Sequence, residues 1–291
     1  MSALMHDAVS LLSPAARLAH TRGSLTDIAY ADDTLLIGAC PQHVGEFLAA
    51  VSTAGKRYGM SLHYGKFHLV QVQCEGGLSL PGGGHLAPEA GMNYLGTILA
   101  EGGRISSELS RRIGIAKAEL ETLSKVWRHS YLTFKQKFKF YRSLVESKLL
   151  YSLSAACLTV ADKRRLDGFQ AKCLRQLLRI KPPYYSRVSN LEVLRRSGHK
   201  AASKLLLERQ LIYLGKVLRS SENSILRSSC MAPGGIEPAT SRYIRRVGRP
   251  RKEWVPTVME AAIQLAGGRQ RLQQLADDPV TWGRMVKQAQ L

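Results

Sequence analysis

Two adjacent aspartates, Asp32 and Asp33, stand between two short runs that favour extended chain: Asp27-Ile28-Ala29-Tyr30 before them and Thr34-Leu35-Leu36-Ile37 after. Both runs carry the β-branched, aromatic and aliphatic residues that suit a pleated surface. Neighbouring side chains on a strand point to opposite faces, so consecutive acids cannot both point into a core. A tight hairpin resolves this by placing both carboxylates at its tip, where they can reach one ion. Such a pair suits magnesium and phosphate chemistry, in which carboxylates hold two ions roughly 3.5 to 4 Å apart against the attacking and leaving oxygens. Taken alone, the pair reads first as a solvated turn, because Asp bonds its own backbone there. A second pair, Asp277-Asp278-Pro279, reads differently, with Asp278 as a helix N-cap and Pro279 at the first helical position.

The apolar pattern divides the chain. A helical run occupies Met1 to Leu18, and from Pro41 to Tyr58 the residues Val44, Phe47, Leu48 and Val51 recur at helical spacing, with Gly59 just past the end. Residues 61–73 alternate as a strand would, and the glycines at 76–77 and 82–84 mark turns before a strand from Tyr94 to Ile98. Beyond Arg104 the period becomes helical. Ile105, Leu109, Ile113, Ala116, Leu120, Leu123 and Trp127 form one stripe, with Arg111, Arg112, Lys117 and Lys125 on other faces. Further helices are predicted over Phe138–Leu153, near Asp162–Ile180 up to Pro182-Pro183, and across 185–220. Ser228 to Arg251 holds three prolines, three glycines and five arginines, and reads as a basic linker or arm.

Charge follows the same division. The net charge is +20, with 42 basic against 22 acidic residues. Residues 1–100 carry 5 basic and 7 acidic side chains, which leaves 37 and 15 for residues 101–291. A surface so cationic neutralises phosphates and releases counterions, so binding to a polyanion should weaken steeply with salt. Cys40, Cys74, Cys157, Cys173 and Cys230 are scattered, without a C-x-x-C or the histidine spacing of a zinc finger. They read as free thiols in a reducing compartment, nuclear or cytoplasmic. No apolar run approaches the ~20 residues of a membrane span, and the N-terminus is a poor secretion signal.

Tyr30-Ala31-Asp32-Asp33-Thr34 resembles the catalytic Y-A-D-D box of reverse transcriptases, and the order of later motifs is similar to that of LINE-type (non-LTR) retrotransposon polymerases. Gly59-Met60-Ser61-Leu62-His63-Tyr64-Gly65-Lys66 resembles their G-L-x-x-N-x-x-K segment, with His63 in place of Asn. Asn93-Tyr94-Leu95-Gly96 is similar to the Y-L-G hairpin that grips the primer end. Trp127-Arg128 falls where these proteins carry a W-R pair. Leu149-Leu150-Tyr151 and Phe169 to Arg175 resemble thumb and post-thumb signatures, and Arg245 to Trp254 resembles an R-x-G-R-P-x-x-x-W run.

The resemblance implies an α/β (α+β) chain: a partial palm sheet with a flanking helix over 1–100, a helical thumb over 101–180, and a basic helical C-terminal region over 181–291. It implies the C-terminal portion of an RNA-directed DNA polymerase, a nucleotidyltransferase of a transposable element. Its partners would be an RNA template, a DNA primer or target, and deoxynucleotides. Asp32 and Asp33 would be the Mg2+ ligands, and Lys66 the acid that protonates the departing pyrophosphate, although a surface lysine is the plain alternative. Nucleic acid would meet Tyr30, Ala31, Tyr94, Leu95 and Gly96 at the site, and Arg111, Arg112, Arg249 and Arg251 on the cationic part. Trp127 reads as thumb core ahead of a stacking platform. The family's polymerases need a further palm aspartate, and neither Asp7 nor Asp27 is well placed to supply it. The expectation is therefore a fragment inactive alone, or a noncatalytic nucleic-acid-binding remnant. An unrelated phosphohydrolase would need a fuller set of ligands than the sequence offers.

Overall fold

The computed structural model describes residues 2–72, 74, 77–100, 105–129, 131–239 and 252–289. The chain forms two compact units, 1–104 and 105–291. It is an α+β protein in which helix predominates.

In the first unit the apolar run at the N-terminus gives two helices, α1 (Ser2–Ser10) and α2 (Pro14–Thr21). The break is local chemistry. Ser13 caps α2 by accepting from the Ala16 amide, and Pro14 takes the first helical position. Glu46 of α3 (Pro41–Arg57) accepts from both the backbone and the hydroxyl of Ser13, tying the cap to the next helix. Phe47, Ala50, Val51 and Ala54 of α3 pack with Leu4, Met5 and Ala8 of α1 and with Leu25 to form this unit's core. Burying Phe47 alone contributes about 1.5–3 kcal/mol. As predicted, α3 ends before Gly59, whose φ of +69° suits glycine at a helix terminus.

The strands of this unit pair as three separate antiparallel hairpins: β1 (Leu25–Tyr30) with β2 (Asp33–Gly38), β3 (Leu78–Ser79) with β4 (His85–Leu86), and β5 (Gly91–Tyr94) with β6 (Thr97–Ala100). Two expectations fail here. The alternation over 61–73 gives no strand among the described residues, only a 3-10 turn at Tyr64–Lys66 and a bridge from Leu69 to Pro88. Among the described residues of that run, Leu62 alone packs against the unit's core, too little to fix an extended register. The strand predicted from Tyr94 to Ile98 folds back at its centre, because Leu95 and Gly96 both have positive φ, 47° and 71°. That is the geometry of a type I′ turn.

The second unit is helical. The stripe from Ile105 to Trp127 lies on α4 (Ser106–Thr122) and α5 (Ser124–Arg128), broken at Leu123. The predicted helix over 138–153 is α6 (Phe134–Phe140), a π-helical stretch at Tyr141–Glu146 and α7 (Ser147–Leu149). There follow α8 (Val160–Leu177), α9 (Pro183–Ser186), α10 (Asn190–Ser197), α11 (Ala202–Arg219) and α12 (Ile225–Cys230). The chain closes with α13 (Trp254–Ala266), α14 (Arg269–Asp277) and α15 (Pro279–Gln288).

Two cores divide this unit, and α11 serves both. Its Ala202 and Leu206 join Leu109, Trp127, Tyr141 and Leu174, whereas its Leu211, Leu214 and Val217 join Met259 and Trp282. The change of core therefore falls within α11. The segment read as a linker from 228 is packed as far as 239: Met231 and Ile236 are buried in the second core, and Arg227 donates to the carbonyls of Leu218 and Gly235. Asp278 caps α15 ahead of Pro279, accepting from the Val280 and Thr281 amides, as its sequence predicts.

Candidate metal and nucleic-acid site

The β1–β2 register pairs Leu25 with Gly38 at one end and Tyr30 with Asp33 at the other, leaving Ala31 and Asp32 as a two-residue turn. Ala31 sits at φ 55°, a left-handed conformation that costs an L-residue roughly 1–2 kcal/mol. Turn geometry thus puts Asp32 at the tip and Asp33 at the first position of β2, both exposed. Neither carboxylate has a hydrogen-bond or ion-pair partner among the described residues. One face of the hairpin carries Leu25 and Leu36 into the core, so the opposite face is left to Ile28, Tyr30 and Ile37, all exposed. Tyr30 is 64% exposed and packs under nothing.

The β5–β6 hairpin meets the first at that same end. The Tyr94 hydroxyl donates to the Ile28 carbonyl at 3.2 Å. Burial, and then the negative charge of Asp33, raise the phenol above its usual range. The structure therefore brings Tyr30, Ala31, Asp32, Asp33 and Tyr94 into one neighbourhood, with Leu95 and Gly96 at the turn beside Tyr94. Lys66 ends its 3-10 turn exposed, and no hydrogen bond or ion pair joins it to either aspartate among the described residues. Asp27 is occupied elsewhere, 3.4 Å from His20 Nε2.

Of the cations predicted to meet phosphate, Arg112 is a correction. It is buried, with Nε 2.5 Å from an oxygen of the buried Glu108 and its guanidinium 4.5 Å above the Tyr151 ring. It is expected on another face, but it lies one turn from Leu109 and Ala116 on the buried face of α4, where it neutralises Glu108. Arg111 is partly exposed but donates both Nε and Nη2 to Glu108 at 3.0 Å. Arg249 and Arg251 lie outside the described residues. Trp127 is core, as expected, and its indole donates to the Leu120 carbonyl at 2.7 Å.

Two exposed carboxylates on one hairpin tip are hard oxygen donors of the kind Mg2+ takes, one or two at a time, together with substrate phosphates. Among the described residues no group of three His, Cys, Asp or Glu side chains could hold a metal by itself. The pair therefore fits part of a magnesium site. All five cysteines are free. No described helix is long and apolar enough to cross a membrane. Comparison with protein-family models, with curated proteins and with solved structures finds no match to the chain.

Proposed function

We propose that the chain is the C-terminal portion of a LINE-type reverse transcriptase, contributing the end of a palm and a helical, cationic thumb region. The observation that carries this reading is the hairpin tip: Asp32 and Asp33 stand exposed on a left-handed Ala31 turn, unpaired among the described residues, with the Tyr94 hairpin beside them. In that reading Asp32 is the principal Mg2+ ligand and Asp33 a second one near the primer terminus. The metal, when bound, would supply charge neutralisation at the transferring phosphate. Ala31 lets a primer backbone approach, because a methyl is the largest group beyond the backbone there. Tyr94, Leu95 and Gly96 form the primer grip, and Lys66 would supply the proton to pyrophosphate from a flexible, exposed position.

Two carboxylates are not a complete two-metal set, so the reading makes this chain a polymerase fragment that binds nucleic acid without extending a primer. The excess of 37 basic over 15 acidic residues after position 100 supports a polyanion partner. The second reading, a noncatalytic nucleic-acid-binding remnant, is favoured by the same incomplete ligand set. Primer extension on an RNA template decides between them. The 291-residue chain should bind template-primer and extend nothing; placed behind an upstream palm segment bearing a further aspartate, it should extend in an Asp32-dependent way. Robust Asp32-dependent extension by the chain alone would refute the fragment. Failure of the completed enzyme, with binding retained, would favour the remnant.

A further inference from the structure

Two stretches of the second unit contain no acidic residue, Thr122–Val145 with six basic side chains and Gly168–Leu191 with five. Tertiary structure brings them together. Arg179, in the loop after α8, donates from Nη2 to the carbonyl of Arg128 at the end of α5, 3.3 Å away. The first stretch carries an exposed ring, Tyr131 at 89%, and the second carries two more, Tyr184 at 80% and Tyr185 at 72%.

The tyrosine loop is held in shape from within. Buried Arg175 of α8 donates from Nη2 to the Val188 carbonyl at 2.7 Å and to Asn190 Oδ1 at 3.0 Å, and from Nη1 to the Lys181 carbonyl at 3.5 Å. One guanidinium thus fastens both ends of residues 181–190. Pro182 and Pro183 restrict the backbone between them. Arg179 and Arg187 flank the tyrosines in left-handed conformations, φ 55° and 56°, where an L-residue costs about 1–2 kcal/mol. Such outliers persist where the surroundings over-determine them, and they cluster at binding sites. Tyr184 and Tyr185 meet edge to face, their centroids 5.3 Å apart, and neither hydroxyl has a hydrogen-bond partner among the described residues. Neither ring belongs to a core cluster of the described residues.

We infer that this junction is a stacking platform for single-stranded nucleic acid. Flat rings on a loop fastened at both ends can stack unpaired bases while the neighbouring Arg179, Lys181 and Arg187 neutralise the strand's phosphates. A duplex keeps its bases paired and could use the cations only. An anionic membrane would also meet tyrosine and arginine, but insertion calls for an amphipathic helix with a wide apolar face, and α9 has four residues. The inference rests on the nucleic-acid part of the proposed function and owes nothing to Asp32 or Asp33.

The test is fluorescence anisotropy of the full chain with labelled oligonucleotides, single-stranded and duplex, alongside flotation with phosphatidylserine-containing vesicles. Tyr184→Ala combined with Tyr185→Ala should weaken single-strand binding about 10-fold or more, with duplex binding unchanged within about twofold. Tyr184→Phe with Tyr185→Phe should retain wild-type affinity, because the ring is kept. Since both side chains are exposed, circular dichroism melting of either variant should match the wild type. Unchanged single-strand affinity in the alanine variant, equal loss on duplex, or ring-dependent binding to vesicles in preference to oligonucleotides would each overturn the inference. If the wild type binds no nucleic acid, the proposed function falls with it; if it binds and only the tyrosine variants are silent, the platform alone falls.

Discussion

The Tyr94 hydroxyl donates to the Ile28 carbonyl across 3.2 Å, a bond from the end of β5 to the strand that leads to the paired aspartates. Two-stranded sheets are marginal on their own, so each hairpin depends on such contacts for its place. Tyr94→Phe keeps the ring and removes the bond. A net loss near 1 kcal/mol corresponds to roughly fivefold faster local opening. Amide exchange over Gly91–Ala100 should rise by about that factor while α4 to α15 are unaffected; unchanged exchange would show that other contacts place the hairpin.

Gly215 and Gly114 should respond to alanine in opposite directions. A Cβ at Gly215 would lie 2.6 Å from Trp282 Cδ1, and that indole is held by its bond to the Leu211 carbonyl at 2.8 Å. Gly215→Ala should cost about 1–3 kcal/mol through overpacking. Gly114 is on α4 with open space around its Cβ position, so Gly114→Ala should stabilise by about 0.5–1 kcal/mol. Urea titration of both variants measures the contrast.

Glu146 gives the second unit a pH dependence. Burial raises its carboxyl above the usual range, against the opposing charges of Arg142 and Arg209. Its Oε2 has no hydrogen-bond partner among the described residues. Between the ordinary carboxylate value and the raised one, the folded state binds more protons than the unfolded state, so stability falls as pH rises through that window. Glu146→Gln should be more stable than the wild type at neutral pH and should lose this slope, as read by thermal melts from pH 4 to about 8.

Cys173 is buried among Tyr141, Leu174 and Leu177, and desolvation pushes its thiol up to about 12. It should resist alkylation at neutral pH because the thiolate is the reactive form. Cys74 is exposed and should label first. Mass spectrometry of a timed iodoacetamide reaction should show Cys173 modified only after denaturant is added; early modification at Cys173 would mean that the first helical core opens readily.

Much of the chain's local structure was legible in residues near one another. Pro41 and Gly59 bound α3, Asp278-Pro279 begins α15, and the acids at 32–33 demanded a turn, because these signals act within a few residues of backbone. The stripe from Ile105 to Trp127 likewise gave the buried face of α4 and α5. Periodicity failed where the outcome depended on a distant partner. Residues 61–73 alternate, but among the described residues they pair only through a bridge from Leu69 to Pro88, and the strand read at 94–98 became a turn through the positive φ of Leu95 and Gly96.

Charge shows the same limit most plainly. Sequence fixes how many arginines the chain carries and where they fall along it, and hence that a polyanion suits its C-terminal two thirds. Which of them face solvent is decided by packing: Arg112 turns inward to Glu108, and Arg175 is spent inside the protein fastening a loop. Tyr184 and Tyr185 carry no period that marks them as exposed. Only the folding of α8 against α10, with one buried guanidinium between their connecting loop's ends, leaves those rings outside, because burial is a property of surfaces brought together and not of residues in order.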